Sequence, residues 1–188
     1  MADFALAFPI VMRHEGVLLD GQGMPVAGKT GYTNDIRDPG GETNYGVTKA
    51  SAVAAGYTGP MADIPWSLVQ KIYRKGYWTP MRGDEIPDQG IALELFDTAV
   101  NCGGGFARSI LRRVLNVFNA GGTRWPDHED GAPMTLMVAD LTTAIAKGYA
   151  PEILKALNCL QGARYIELAE RNGKLEDFEI GWFRNRVG

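Results

Sequence analysis

Only two cysteines occur in the 188 residues, and Cys102 and Cys159 stand far apart without the paired spacing of a metal site. Each falls in an apolar helical pattern, for which buried free thiols are the usual reading and a disulfide, though possible, is not favoured. Histidine is as scarce. His14 has no second histidine at the spacing of a zinc-peptidase helix, and a thiol in an apolar stripe makes a poor nucleophile, so metallopeptidase and thiol-peptidase chemistry are both disfavoured. The acidic run from Asp127 to Asp130 lacks the ladder and closing Glu of an EF-hand loop. A metal site is not expected from these residues. An excess of positive charge is missing too. With 19 Lys and Arg against 22 Asp and Glu, the net charge of -3 argues against nucleic-acid binding by phosphate neutralisation and gives no general hold on an anionic wall. No apolar run approaches the roughly 18–20 residues of a membrane-spanning helix. The start Met1-Ala2-Asp3 is acidic where an export signal is positive, and Pro9 interrupts the apolar stretch from Phe4 to Met12, so no signal peptide is expected.

Strand-like alternation, repeats and low-complexity tracts are also rare, and helical periodicity dominates. Phe4, Phe8, Val11 and Met12 recur at spacings of three and four, with Asp3 as N-cap and Glu15-Gly16 closing the segment. From Val17 to Gly46 the chain is rich in Gly, Pro, Asp and Asn, which predicts a long functional loop with at most a short hairpin near Tyr32 or Tyr45. Thr48 is placed to cap a short helix ending at Gly56, and Pro65 opens another carrying Val69, Tyr73 and Tyr77. Further helices are expected from Pro87 to Cys102, from about Phe106 to Phe118, from an N-cap at Thr135 to Lys147, from Pro151 to Gly173, and from Phe178 to Val187. The fold class is mainly α with little or no β, in a single compact body.

The chemistry gathers near the first helix. Glu15 sits at its C-terminal end, where the macrodipole is negative and the neighbouring face apolar, and both features disfavour an ionised carboxylate. A carboxylic acid kept protonated suits the general acid of glycoside hydrolysis, although a helix-end Glu is in itself an ordinary solvated residue. Downstream, the stretch from Asn34 to Gly46 concentrates carboxylates, amides, a hydroxyl and glycines, as a substrate-lining loop does. Asp38 or Asp35 is expected to supply the second carboxylate, Asp35 being as readily an Asx turn, and Thr43 to orient a water on the far face of the sugar. Asn44, Tyr45 and Trp78 are candidate substrate contacts, with Tyr45 ahead of Trp78 for ring stacking. Asp97 and Asn101 lie four apart on one helix, so they share a face that either meets substrate or forms an internal network.

These residues carry a resemblance. Glu15-Gly16, then Gly31-Tyr32-Thr33-Asn34-Asp35, then the run DPGGETNYGVT from Asp38 to Thr48, with Tyr73, Tyr77-Trp78 and LFDTAVN from Leu95 to Asn101, resemble glycoside hydrolase family 108. The resemblance implies an N-acetylmuramidase, many of the family coming from phages and prophages, with a lysozyme-like helical bundle and no cofactor. It implies cleavage of the β-1,4 bond between N-acetylmuramic acid and N-acetylglucosamine, with Glu15 as the acid. Asp38 and Thr43 follow by analogy with bacteriophage lysozymes. Peptidoglycan strands are then the partner, with no nucleic acid, and a holin or other release factor is expected to bring a protein made in the cytoplasm to the periplasm or wall. Family members run Glu-Gly-Gly-Tyr, whereas Val17 follows Gly16 here and the pattern resumes at Gly31. Residues 17–30 therefore read as an insert that either grips glycan or occludes the cleft. The division expected is a catalytic part over 1–86 and a helical part over 87–188, the latter resembling a predicted peptidoglycan domain through Ser109 to Asn116, Asp130-Gly131 and Thr135. The alternative function is a non-catalytic peptidoglycan-binding or secretion-assisting protein.

Overall fold

The computed structural model describes residues 1–34, 41–172 and 176–187, and among these the regular structure consists of eight α-helices, one small hairpin, two short 3₁₀ turns and one π-helical turn. The chain is mainly α and divides into two compact units, Phe4–Trp78 and a second comprising Met1–Asp3 with Thr79–Gly188.

In the first unit, α1 (Phe4–His14) buries Phe4, Ala7, Phe8, Val11 and Met12, the stripe that the three-and-four spacing requires. Aromatic rings form the centre. Phe8 lies 5.1 Å from both Phe4 and Trp66 and 5.6 Å from Tyr73, while Phe4 meets Trp78 edge-on at 5.7 Å. Offset and edge contacts of this kind add to the burial of the rings themselves. Strands β1 (Thr43–Asn44) and β2 (Val47–Thr48) pair antiparallel, Thr43 with Thr48 and Asn44 with Val47, and Thr43 also bridges back to Thr33. The connection is the two-residue turn Tyr45-Gly46, both at positive φ (54° and 71°), the conformation of a type I′ turn. Thr48 then caps α2 (Lys49–Ala54), accepting from the Ser51 N–H at 3.2 Å. Pro65 opens α3 (Trp66–Tyr73), which runs into a widened π-helical turn over Arg74–Trp78 that sequence periodicity does not foretell.

The insert is folded on itself. Asp20 accepts from the N–H groups of Gln22 and Met24 at 2.9 Å, and backbone bonds from Leu18 to Lys29 and from Val26 to Leu18 close a small hairpin-like lobe.

The regular structure of the second unit is helical among the described residues. Helix α4 (Gln89–Cys102), capped by Asp88, packs on α5 (Gly104–Phe118) and α7 (Ala150–Arg171); α5 also packs on α6 (Met134–Ala146), and α7 on α8 (Glu176–Arg186). At Gly162 on α7 a β-carbon would stand 3.2 Å from the Phe183 ring, so glycine is what lets α8 approach this closely. The loop before α6 is tied down by side chains: Asn116 pairs with both backbone groups of His128, Trp125 donates to the Leu115 carbonyl, and His128 meets Asp140 at 3.0 Å.

Three expectations are corrected here. Thr135 is not an N-cap but lies inside the first turn of α6, which starts after Pro133. Helix α5 begins at Gly104, two residues ahead of Phe106, because the glycines continue the helix instead of separating it from its neighbour. Cys159 is exposed, since the buried stripe of α7 runs through Ile153, Leu157 and Gln161 on the opposite side; both cysteines are free. Among the described residues no helix is long and apolar enough to cross a membrane.

Candidate active site

Glu15 follows directly on α1, and its carboxylate stands over the hairpin turn of the same unit. A β-carbon built on Gly46 would lie 3.2 Å from Glu15 Oε2 and 3.7 Å from its Cγ, and would collide with the Tyr73 hydroxyl. Three segments distant in sequence thus converge on one bare α-carbon: the end of α1, the turn of the hairpin and the end of α3. The Tyr73 hydroxyl donates to the Tyr45 carbonyl at 3.1 Å, fixing the turn from the α3 side, and the Tyr45 N–H donates to the Thr30 carbonyl from the other. Tyr45 itself holds a left-handed conformation that costs a bulky residue energy, the kind of strain that collects at functional sites. Its ring leans on Trp66 at 5.2 Å.

The π-helical turn brings Tyr77 beside Tyr73, with ring centroids 5.6 Å apart. Burial, and after it the charge of Glu15, pushes the Tyr77 phenol above its ordinary value, so Tyr77 stays a neutral hydroxyl. Neither tyrosine was singled out for chemistry by the sequence; their spacing of four after a helix start was the available signal. Glu42, also passed over, accepts from Lys49 Nζ at 3.1 Å and from the Tyr32 hydroxyl at 3.0 Å. These two bonds, the one to Lys49 foremost, hold its carboxyl below the ordinary range and keep it ionised.

Of the remaining expected site residues, Thr43 is half-buried on β1, in the pairing that carries the turn. Asp35 and Asp38 lie outside the described residues. Three expected substrate contacts prove to be interior side chains. Asn44 is buried and its Nδ2 donates to the Met61 carbonyl at 2.8 Å, so it clamps the hairpin to the following turn. Trp78 is fully buried against Phe4 and offers no face to a sugar. Asp97 is buried in the second unit, accepting from Arg186 at 3.0 Å and from Gln161 at 3.1 Å, which makes it part of an internal network. Asn101 is half-buried and accepts from the Cys102 thiol at 3.6 Å. Among the described residues no cluster of His, Cys, Asp and Glu is suited to a metal.

The arrangement sets the Glu15 carboxyl over a turn pinned by the Tyr73 hydroxyl, with the Tyr77 ring beside Tyr73. No curated protein matches the chain in sequence. In fold it is similar to the solved structure of Brucella abortus SagA, with 23% identity and a TM-score of 0.62 over 96% of this chain and 87% of that one. The sequence profile of glycosyl hydrolase 108 matches residues 8–103, a segment that contains Glu15, the hairpin turn and both tyrosines, and the chain belongs to that family of glycoside hydrolases.

Proposed function

We propose that the protein is a lysozyme-type N-acetylmuramidase that hydrolyses the β-1,4 bond between N-acetylmuramic acid and N-acetylglucosamine in peptidoglycan, with Glu15 as its general acid. The observation that carries this reading is the seat of Glu15 over the Gly46 turn, inside the segment that defines a glycoside hydrolase family. Glu15 protonates the glycosidic oxygen as the bond to the sugar breaks, the oxocarbenium-like centre left behind is captured by water, and the proton that the water gives up passes to solvent, from which Glu15 is reprotonated. Tyr73 and Tyr77 are positioning residues in this scheme: one pins the turn beneath the acid and the other flanks it as a neutral donor. Thr43, at the base of the hairpin, orients the water, and a carboxylate from Asp38 or Asp35 supports the positive charge. The work is done on glycan strands of the wall, which the protein reaches through a release factor of the holin kind.

Digestion of purified sacculi by wild type and by Glu15→Gln, with the soluble fragments reduced by borohydride and identified by mass spectrometry, tests this. Reduced muramic acid ends from wild type, with roughly a hundredfold fewer from the variant, are expected. Reduced glucosamine ends would assign the other glycosidic bond, and bound protein on intact sacculi would make the chain a binding module.

A further inference from the structure

Lys71 near the end of helix α3 and Arg74 and Lys75 at the start of the π-helical turn that continues it follow one another at spacings of three and one, and all three are exposed. They are three of the seven Lys and Arg residues between positions 4 and 78. Arg74 sits over the Phe4 ring at 5.3 Å, which holds its guanidinium against the body of the unit. Lys71 and Lys75 form no ion pair among the described residues. The ridge is flanked by two grooves. One, of about 460 Å³, lies between α1 and α3, is floored by Phe8 and Trp66 and is closed by Met24 of the insert. The other, of about 470 Å³, lies between α2 and α3 and is walled by Ala54, Leu68 and Ile72. Lys71 borders both, and no acidic residue lines either one.

In a chain of net charge -3 this is a local concentration of the opposite sign, set between two shallow, open grooves with apolar floors. We infer that the Lys71–Arg74–Lys75 ridge docks the carboxylate-bearing peptide stems of peptidoglycan, their aliphatic side chains lying in the two grooves. The inference rests on peptidoglycan being the substrate and deepens that reading. None of the residues lining the two grooves is one that meets at the Gly46 turn, so the ridge would hold wall polymer without occupying the seat of Glu15. The insert acquires a purpose, since Met24 completes the wall of one groove.

The test is made on Glu15→Gln protein, so that binding is read whether or not Glu15 cuts. Retention on intact sacculi is compared with retention on sacculi whose carboxyls have been amidated with carbodiimide, for this protein and for the same protein carrying K71Q, R74Q and K75Q. The exposed ion pairs of Lys71 and Lys75, with the charge of Arg74 beside them, support about a tenfold loss of affinity for intact sacculi in the triple variant, diminishing at high salt, with no difference between the two proteins on amidated sacculi. Thermal melting checks that the triple variant is folded. Equal retention of both proteins on intact sacculi, or a difference that survives amidation, would overturn the inference, as would failure of the parent to bind. Loss of the cleavage assignment alone, with stem-dependent retention intact, would instead refute the role of Glu15.

Discussion

Gly46→Ala is the most direct perturbation of the proposed acid's seat. The φ of 71° at this position is one that an alanine adopts at a cost of about 1–2 kcal/mol. The new methyl also collides with the Tyr73 hydroxyl and comes within 3.2 Å of Glu15 Oε2. Tyr73 must therefore move, and losing its bond to the Tyr45 carbonyl costs about 1 kcal/mol more. The sum, about 2–3 kcal/mol, corresponds to a fall in Tm of roughly 5–10 °C for a chain of this size. Displacement of the acid by the order of an ångström lowers the rate of sacculus digestion by about a hundredfold. The mechanism is specific enough to be checked by a cycle. Tyr73→Phe alone removes the hydroxyl and its bond and costs about 1 kcal/mol, but in the Gly46→Ala background it also removes the obstacle. The double variant should then be more stable than the sum of the singles implies, by about 1 kcal/mol, while the φ penalty remains. Additive effects in the cycle, or an alanine variant with the wild-type rate and Tm, would refute the reasoning.

Other expectations concern the second unit. Arg186→Met strips the counterion from buried Asp97 and should destabilise the protein by about 3–5 kcal/mol in thermal or urea unfolding, whereas adding Asp97→Asn should recover much of that loss. Glu94 is buried beside Asp97, accepts from Thr98 at 3.3 Å, and is pushed up from 4.5 to about 8, by burial first and by the Asp97 charge second. Tyr165 and Gln161 of α7 and Arg186 of α8 complete the buried cluster with Cys102. Because the folded state binds this proton more tightly than the unfolded chain, its contribution is whole below about pH 4.5, declines as the pH rises and is gone above about pH 8; the full span is at most about 5 kcal/mol. Glu94→Gln should flatten that part of the stability profile between pH 5 and 8, and an unchanged slope in urea titrations would assign it elsewhere. Cys159, exposed on α7, should react with a thiol reagent in the native protein well before half-buried Cys102, whose thiol is pushed up to about 11, and modification at Cys159 should leave digestion of sacculi unaltered.

Helix positions were readable because each carries its own signal: the apolar stripe of α1, the capping Thr48, the prolines ahead of α3 and within the first turn of α7. The position of Glu15 at the end of α1 and a short hairpin near Tyr45 were readable as well, the first from the apolar stripe that ends there and the second from a run of turn-forming residues. What escaped depends on partners far away in the chain. Asn44 looks like a cleft residue until Met61 claims its amide, and Asp97 looks like a ligand until Arg186 arrives from the last helix. Trp78 is a plausible stacking platform by type alone, and only the packing of Phe4 removes it from consideration. The π-helical turn leaves no mark in periodicity because one widened turn shifts the register after the helix has been recognised. Side-chain type announces chemical capacity, and long-range packing decides whether that capacity is spent inside the protein.

The seat of Glu15 has a kinetic consequence. α1 and α3 can each form from neighbouring residues alone, but the α-carbon on which the acid rests belongs to neither and is brought in by a hairpin from the chain between them. Such non-local closures come late, after loop entropy has been overcome. During refolding from denaturant, helical ellipticity should therefore return before wall-digesting activity, and the lag between them times the closing of the Tyr45-Gly46 turn.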